Sequence, residues 1–319
     1  MGIINQDVLD AANFTARAVF DQIFTNPGTR LFEVFSERIA TDSKVNEIDI
    51  LETMPVIKEW IGAKDFDSIR ASYLQATIKK WHRSVEFDRL DVTADKMGMI
   101  GRRLSAFAAA TSKDYDKICT DALIANGTGY DGVALFSGSH PRGPANATQS
   151  NTTTSAFAAG TLETALVAGA SLRDLNGETY GVSYDTLMVG PKLAKLAREL
   201  TQSTERVIAV DNAGEETGTR VAATTIPNRL GLEVYGGGQL TVVVNPRLVG
   251  TYDDYWYLFD TQLGPKPLHL YVMRDPELVS QIQMDDEARF LLDKLRWSIE
   301  ADVVAAPGAW QTAYAGIVS

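Results

Sequence analysis

The residues best suited to catalysis are Ser139 and His140, which end the run Ser137-Gly138-Ser139-His140. A serine beside a general base is the core of a serine hydrolase site. Such a serine usually lies in a G-x-S-x-G turn between a strand and a helix. Ser139 instead lies in a polar loop before Pro141, and any base would have to be positioned by the fold. The sequence therefore favours a surface loop, and a serine hydrolase is the weaker alternative.

Metal and cofactor chemistry have little support in the sequence. None of the three histidines has a second His or Cys at the spacing of a zinc site. Asp285, Asp286 and Glu287 could bind a hard cation, but such a triplet is more often a solvated turn. The single cysteine, Cys119, lies on the apolar face of a predicted helix, where thiols are usually inert. We therefore expect no catalytic residue, no cofactor and no metal site.

The overall charge argues against tight binding of nucleic acid. The chain of 319 residues has 30 basic and 41 acidic side chains and a net charge of −11. Proteins that grip nucleic acid usually present a basic field to the phosphates, so we expect non-specific contact with DNA at most. No apolar run approaches the length of a bilayer span, and the first residues do not resemble a secretory signal. We therefore expect no membrane partner.

One short run, Lys79-Lys80-Trp81-His82-Arg83, combines an aromatic residue with basic residues. It belongs to a predicted strand in which neither face is cleanly apolar, and such strands need guarding charges or a covering partner. Trp and Arg are common anchors of protein interfaces, so contact with a neighbouring subunit is the favoured interpretation. The predicted subunit-interface residues are Trp60, Lys79, Lys80, Trp81, Arg83, Glu86, Arg102 and Arg103.

Around this strand, the pattern of apolar residues predicts an α+β fold. Apolar residues at helical steps from Met97 to Ala122 predict one unbroken helix over Asp95–Asn126, with Asp95 as N-cap and Gly127 at C′. A shorter helix is predicted over residues 6–24. The predicted strands are LFEVF, VNEIDIL, YDTLMVG, LGLEVYGG, QLTVVVNP, YWYLFDT, PLHLYVM, LVSQIQM and WSIEADVVA.

Three segments together resemble the major head proteins of Mu-like tailed phages. They are MPVIKEWIG, the stretch DVTADKMGMIGRRLSAFAAATSKDYDKICTDALIANG, and YDGVALFSGSHP. The resemblance is best between Met54 and Pro141, and its specificity lies in the order and spacing of all three segments. It implies the Hong-Kong-97-like major capsid fold of tailed phages.

The resemblance also implies a division of the chain into parts. These are an N-terminal arm over residues 1–54, an extended loop hairpin over 55–94, a peripheral domain with a long spine helix over 95–180, an axial domain over 181–284, and C-terminal strands over 285–319 that return to the peripheral domain.

The function implied by the resemblance is self-assembly without catalysis. Copies of the chain would form pentamers and hexamers that close into an icosahedral head around phage DNA. A scaffold protein and a portal would be partners, and assembly in the host cytoplasm would deliver the chain to the virion. The shell of a cellular nanocompartment, which has the same fold, is the first alternative, and the serine hydrolase is the second.

Overall fold

The structure is a computed structural model that describes residues 13–14, 17–18, 20–22, 30–51, 71–88, 91, 99–142, 147–203, 205–211, 221–227, 240–283, 286 and 291–318. Trp60, Asp95 and the predicted strand LGLEVYGG lie outside these residues. The chain divides into two compact units. The first unit is Met1–Glu47, Gln75–Ala122 and His269–Ala306; the second is Ile48–Leu74, Leu123–Leu268 and Pro307–Ser319.

The first unit is built on a four-stranded sheet with helices beside it. Its helical elements are α1 (Phe32–Phe35), α2 (Met99–Ala110), a 3-10 turn (Thr111–Lys113) and α3 (Asp114–Ala125). Its strands are β1 (Ser36–Ala40), β4 (Lys79–Asp88), β13 (Leu268–Gln281) and β14 (Lys294–Pro307), in the sheet order β1-β13-β14-β4. β4 and β14 are antiparallel.

The core of the first unit lies on one face of this sheet. Buried and half-buried residues alternate along most of β14, as expected for a strand with one face toward a core. Trp297 and Leu295 of β14 pack with Leu104 and Ala108 of α2, and with Phe20 from the predicted N-terminal helix. The described residues of that helix, within 13–22, are helical.

The predicted unbroken helix over Asp95–Asn126 is interrupted in the structure. α2 ends at Ala110, and the 3-10 turn over Thr111–Lys113 separates it from α3. Thr and Ser have weaker helix propensity than the alanines before them, and Asp114 provides an acidic first turn for α3. At the other end, Asn126 takes the left-handed conformation, with φ of 48°, that we expected of Gly127.

A two-stranded sheet is formed by β2 (Val45–Leu51) and β3 (Ala71–Thr77). β2 matches the predicted strand VNEIDIL, but LFEVF is not a strand: its last four residues form α1, and β1 begins at the next residue, Ser36. Phe32 and Phe35 are both buried, and their three-residue spacing suits a helical turn. Residues 52–70, between β2 and β3, lie outside the described part of the chain.

The second unit is built on a mixed five-stranded sheet. Its helices are α4 (Ala159–Ala170) and α5 (Ala194–Thr201). Its strands are β5 (His140–Arg142), β6 (Ala147–Gln149), β7 (Thr152–Thr153), β8 (Thr186–Val189), β9 (Glu205–Asp211), β10 (Val221–Pro227), β11 (Thr241–Val244), β12 (Trp256–Phe259) and β15 (Ala313–Gly316). The sheet order is β11-β8-β12-β15-β7, while β5 pairs with β6, and β9 with β10.

Strand β15 carries the C-terminal residues into the middle of that sheet. It is antiparallel to β12 and parallel to β7. The sheet needs a glycine at Gly316, because a Cβ there would overlap the indole ring of Trp256 on β12. The two units agree with the predicted α+β class, while the predicted division of the chain into five parts remains a prediction.

A buried histidine in the first unit is expected to make the stability of that unit depend on pH. His269 of β13 is 7% exposed, and neither ring nitrogen has a hydrogen-bond partner among the described residues. Its Nε2 lies 4.0 Å from Oε2 of Glu37. Burial lowers the pKa of His269, and the charge of Glu37 opposes this only in part.

We expect His269 to destabilise the first unit as the pH falls. A lowered pKa means that the unfolded chain takes up the proton first, starting near the ordinary value of about 6.5. The loss of unfolding free energy between about pH 6.5 and 5.5 should therefore be smaller in His269→Leu than in the unchanged protein. Urea unfolding at the two pH values measures this. His82→Gln, at an exposed histidine, is the control; identical pH dependence in all three proteins would contradict the prediction.

Candidate assembly surface

Five of the predicted interface residues lie on one strand at the edge of the first unit's sheet. β4 pairs with β14 over ten residue pairs, from Lys294 opposite Asp88 to Val303 opposite Lys79. Among the described strands of this sheet, β4 is the last in the order and has β14 as its one neighbour. The five residues on β4 are Lys79, Lys80, Trp81, Arg83 and Glu86.

One face of β4 changes from buried to exposed along its length. Phe87 is buried, Val85 and Arg83 are half-buried, and Trp81 is 39% exposed. The residues between them, which point to the opposite face, are exposed throughout. The first half of β4 therefore presents a large aromatic ring and several charges at the surface of the subunit.

The exposed part of Trp81 borders a surface pocket of about 220 Å³. The pocket includes apolar side chains from three other elements: Ile118, Pro276 and Ile299. The indole Nε1 of Trp81 donates a hydrogen bond of 3.1 Å to the carbonyl of Val303. The polar group of Trp81 is therefore already satisfied inside the subunit, and the exposed remainder of the side chain is apolar. Covering this remainder with a partner would remove apolar surface from water, which is favourable.

An ion pair lies at the same pocket. Arg83 contacts the carboxylate of Asp114, the first residue of α3, and both side chains line the pocket. The pair joins β4 to α3 at the pocket that Trp81 also lines. The pocket therefore combines an apolar interior with a positioned charge, the usual composition of an interface anchor.

Glu86 has its charge compensated within the subunit. It contacts Lys294, and its Oε2 lies 3.1 Å from Nε of Arg296, both on β14. Hydrogen bonds from Lys294 and then Arg296 lower the pKa of Glu86. These contacts support the pairing of β4 with β14.

The other predicted interface residues are not part of this cluster. Arg102 and Arg103 are exposed on α2, whose buried residues Leu104 and Ala108 face the core. Trp60 lies outside the described residues. The structure therefore brings together the β4 residues and leaves the two arginines as a separate exposed pair.

The candidate hydrolase pair is not assembled. His140 is fully buried, with Nδ1 2.6 Å from Oδ2 of Asp131 and Nε2 3.1 Å from Oδ1 of Asn151. Ser139 is exposed, and its hydroxyl lies 3.4 Å from that of Ser137. Both ring nitrogens of His140 are engaged by other side chains, so neither is available to activate Ser139.

The possible cation site is not supported by the described residues. In that part of the chain, no group of three or more His, Cys, Asp and Glu side chains could hold a metal ion. Asp285 and Glu287 lie outside it, and Oδ2 of Asp286 accepts a hydrogen bond of 2.7 Å from the backbone of Gln283. Of the helices that the structure describes, none has the length and apolar character to span a bilayer.

Sequence reasoning missed a polar network in the first unit. Arg38 of β1 and Asp275 of β13 form an ion pair of 2.6 Å, and the hydroxyl of Tyr115 donates a 2.7 Å hydrogen bond to the same carboxylate. The hydrogen bond with Asp275 raises the pKa of Arg38, and burial raises that of Tyr115. Arg38 and Asp275 are 237 positions apart, so no local pattern could have joined them.

Comparison with known families gives a match over most of the chain. A family model described as phage capsid protein matches residues 72–316. A curated relative, the Mu-like prophage FluMu major head subunit of Haemophilus influenzae, is 31% identical over 95 residues. That alignment covers 29% of this chain and 31% of the relative, so it spans about a third of the relative's length.

Solved structures of shells have the same fold at low sequence identity. The chain is similar to a subunit of the procapsid of bacteriophage JBD30, with a TM-score of 0.53, 19% identity, and coverage of 98% of this chain and 75% of that one. The virus-like particle from Pyrococcus furiosus gives a TM-score of 0.51 at 11% identity, covering 95% and 97%. The mature capsid of bacteriophage PhiM1 gives 0.51 at 15% identity, covering 90% and 86%. These matches confirm the predicted tailed-phage capsid fold.

Proposed function

The chain belongs to the phage capsid protein family, and from this premise we propose that it is the major shell subunit of a tailed-phage head. The observation that carries the proposal is the family match over residues 72–316, which includes the larger part of each compact unit. In this role the chain acts by assembly and not by catalysis. Its copies form pentamers and hexamers that close around packaged DNA.

The charge of the chain suits such a shell. With a net charge of −11, the subunit does not hold phosphates tightly, so packaged DNA can stay mobile inside the head. A scaffold protein to guide closure and a portal to admit DNA are the partners that this role requires. Assembly would take place in the host cytoplasm, and the mature location would be the virion.

Electron microscopy of the purified protein tests the proposal. We expect rings of five or six subunits, tubes or closed shells when the protein is concentrated. Co-expression with a scaffold protein should increase the share of closed shells. A protein that stays monomeric under both conditions would overturn the proposal.

A shell that encloses protein cargo is the second candidate. The observation that favours it is the fold match to the virus-like particle from Pyrococcus furiosus, which covers 97% of that chain. The two candidates differ in particle content. Small uniform particles that contain an enzyme and no DNA would favour the second, whereas larger heads containing DNA would favour the first.

Within the shell, we assign the exposed half of β4 to contact between subunits. Three observations support this assignment: the partly exposed Trp81, the pocket beside it, and the Arg83–Asp114 ion pair at that pocket. A neighbouring subunit that covers the indole ring would remove apolar surface from water and exclude solvent from the ion pair.

Changing Trp81 and Arg83 to alanine together should impair assembly more than folding. Anchors of this kind contribute about 1–2 kcal/mol each, so we expect the protein concentration needed for assembly to rise by on the order of tenfold or more. Light scattering against concentration measures this threshold, and circular dichroism checks the fold.

Ser84→Ala, on the opposite face of the same strand, is the matched control and should assemble like the unchanged protein. Trp81→Phe should be intermediate, because it keeps an aromatic ring but loses the hydrogen bond to Val303. An unchanged threshold in the folded double variant would show that this surface is not an interface, while leaving the shell role itself open to the microscopy test.

A further inference from the structure

The ring of His140 is enclosed on both edges and on one face. Its Nδ1 meets the carboxylate of Asp131 at 2.6 Å, and its Nε2 meets the side-chain oxygen of Asn151 at 3.1 Å. The indole ring of Trp310 is stacked on it, with ring centroids 3.9 Å apart and planes inclined by 5°. All of these groups belong to the second unit, and His140 has no solvent exposure.

The orientation of the Asn151 amide is fixed by its other partners. Its Nδ2 donates to the carbonyls of Leu135 at 2.8 Å, Trp310 at 3.1 Å and Ala313 at 3.3 Å. Its Oδ1 accepts the backbone N–H of Ser137 at 2.8 Å. Exchanging the amide nitrogen and oxygen would set donors against donors and acceptors against acceptors. The atom that faces Nε2 of His140 is therefore an acceptor, and Nε2 must carry a hydrogen.

The other edge of the ring also faces an acceptor. Oδ1 of Asp131 accepts a hydrogen bond from the backbone N–H of Val133 at 3.3 Å, and Oδ2 faces Nδ1 of His140. A hydrogen on Nδ1 lets both oxygens of Asp131 act as acceptors, Oδ1 toward Val133 and Oδ2 toward the ring. A carboxylate, an amide oxygen and an aromatic face each favour a positive charge on the ring, and together they oppose the cost of burying that charge.

We propose that His140 is a buried imidazolium ion, charged at neutral pH, that fastens the C-terminal segment of the chain to Asp131 and Asn151. The segment is held at three points. Trp310 stacks on the ring, Asn151 binds the carbonyls of Trp310 and Ala313, and the backbone of Ala315 donates a 3.0 Å hydrogen bond to the carbonyl of Asn151.

Loss of the proton breaks this arrangement at one edge of the ring. A neutral ring has one N–H, so either Nδ1 or Nε2 would direct a lone pair at an oxygen atom. Of the groups that the structure places against the ring, Asp131 is titratable, and Asn151 and Trp310 are neutral. Raising the pH should therefore weaken the attachment of the C-terminal segment. This attachment through His140 does not depend on the role of the chain in a shell.

Nuclear magnetic resonance of protein with ¹⁵N-labelled histidine tests the charge. The sample is the full chain, sedimented if it assembles, at pH 7.5, where a free histidine is about nine-tenths neutral. We expect both ring nitrogens of His140 to carry a hydrogen. His140→Gln, His82→Gln and His269→Gln identify the three sets of signals. A bare ring nitrogen in His140 would overturn the proposal.

Asp131→Asn separates the charge from the packing. The side chain keeps its shape and an acceptor oxygen but loses the negative charge that balances the imidazolium. We expect His140 in this variant to show one bare ring nitrogen at pH 7.5, together with a lower unfolding midpoint. If His140 keeps both ring hydrogens in a folded Asp131→Asn variant, the carboxylate of Asp131 does not stabilise the imidazolium. That result would overturn the proposed role of Asp131. If the variant does not fold, the result with the unchanged protein decides.

Discussion

Asn151→Ala should lower the free energy of unfolding of the second unit by about 3–5 kcal/mol, the larger of the effects expected in that unit. Asn151 is fully buried, and its side chain satisfies the backbone N–H of Ser137 and three carbonyl groups. Alanine cannot form these hydrogen bonds. Each buried donor or acceptor that is left unsatisfied lowers the free energy of unfolding by about 1–3 kcal/mol. Relaxation and entering water would recover part of the sum.

Thermal unfolding of the unassembled protein measures this effect, and a fall in midpoint on the order of 10 °C corresponds to it. Gln149→Ala is a matched control: the half-buried Gln149 also binds backbone groups, the carbonyls of Pro141 and Arg173, but through solvent-exposed hydrogen bonds that water can replace. Its loss should cost about 1 kcal/mol or less. Equal effects of the two variants would show that the buried network around Asn151 does not stabilise the unit.

The strands of this fold could be predicted where one face is buried and the other is not. β14 alternates buried and half-buried residues, and the sequence predicted it from the run WSIEADVVA. The family resemblance was also recoverable, because its three segments are continuous in sequence. Both signals are local, and local signals survive in a single sequence without knowledge of the tertiary structure.

Errors arose where tertiary packing overrides local preference. The predicted strands PLHLYVM and LVSQIQM form one strand, β13, of fourteen residues that runs through Pro276. Proline lacks an N–H and usually marks the end of a strand or an unpaired edge. Among the strands that the structure describes, the neighbour of β13 on one side is β1, which is only five residues long against the fourteen of β13.

The candidate surface was only partly predictable for the same reason. The cluster on β4 was visible because Lys79, Trp81 and Arg83 are close in sequence. The pocket beside it was not, since Ile118, Pro276 and Ile299 come from three separate elements. The role of His140 was also hidden: its neighbour Ser139 suggested catalysis, while its partners Asp131 and Asn151 carry no recognisable motif.

Trp297→Ala should be the most destabilising change in the first unit, with a loss of about 3–5 kcal/mol of unfolding free energy. Trp297 has no solvent exposure, and its ring meets that of Phe87 edge-on at a centroid distance of 5.8 Å. It packs in the same core cluster as Leu104 and Ala108 of α2. Removing the indole leaves a large cavity between the sheet and this helix, which the surrounding side chains can fill only in part.

Urea unfolding followed by circular dichroism measures the loss, and Trp81→Ala is the control on the neighbouring strand. Both changes remove an indole from the same sheet, but Trp81 is 39% exposed, so its loss should cost about 1–2 kcal/mol. Trp297→Phe keeps an aromatic ring in the core and should lie between the two. If Trp297→Ala is no more damaging than Trp81→Ala, the core of the unit does not lie on the face of the sheet that carries Trp297.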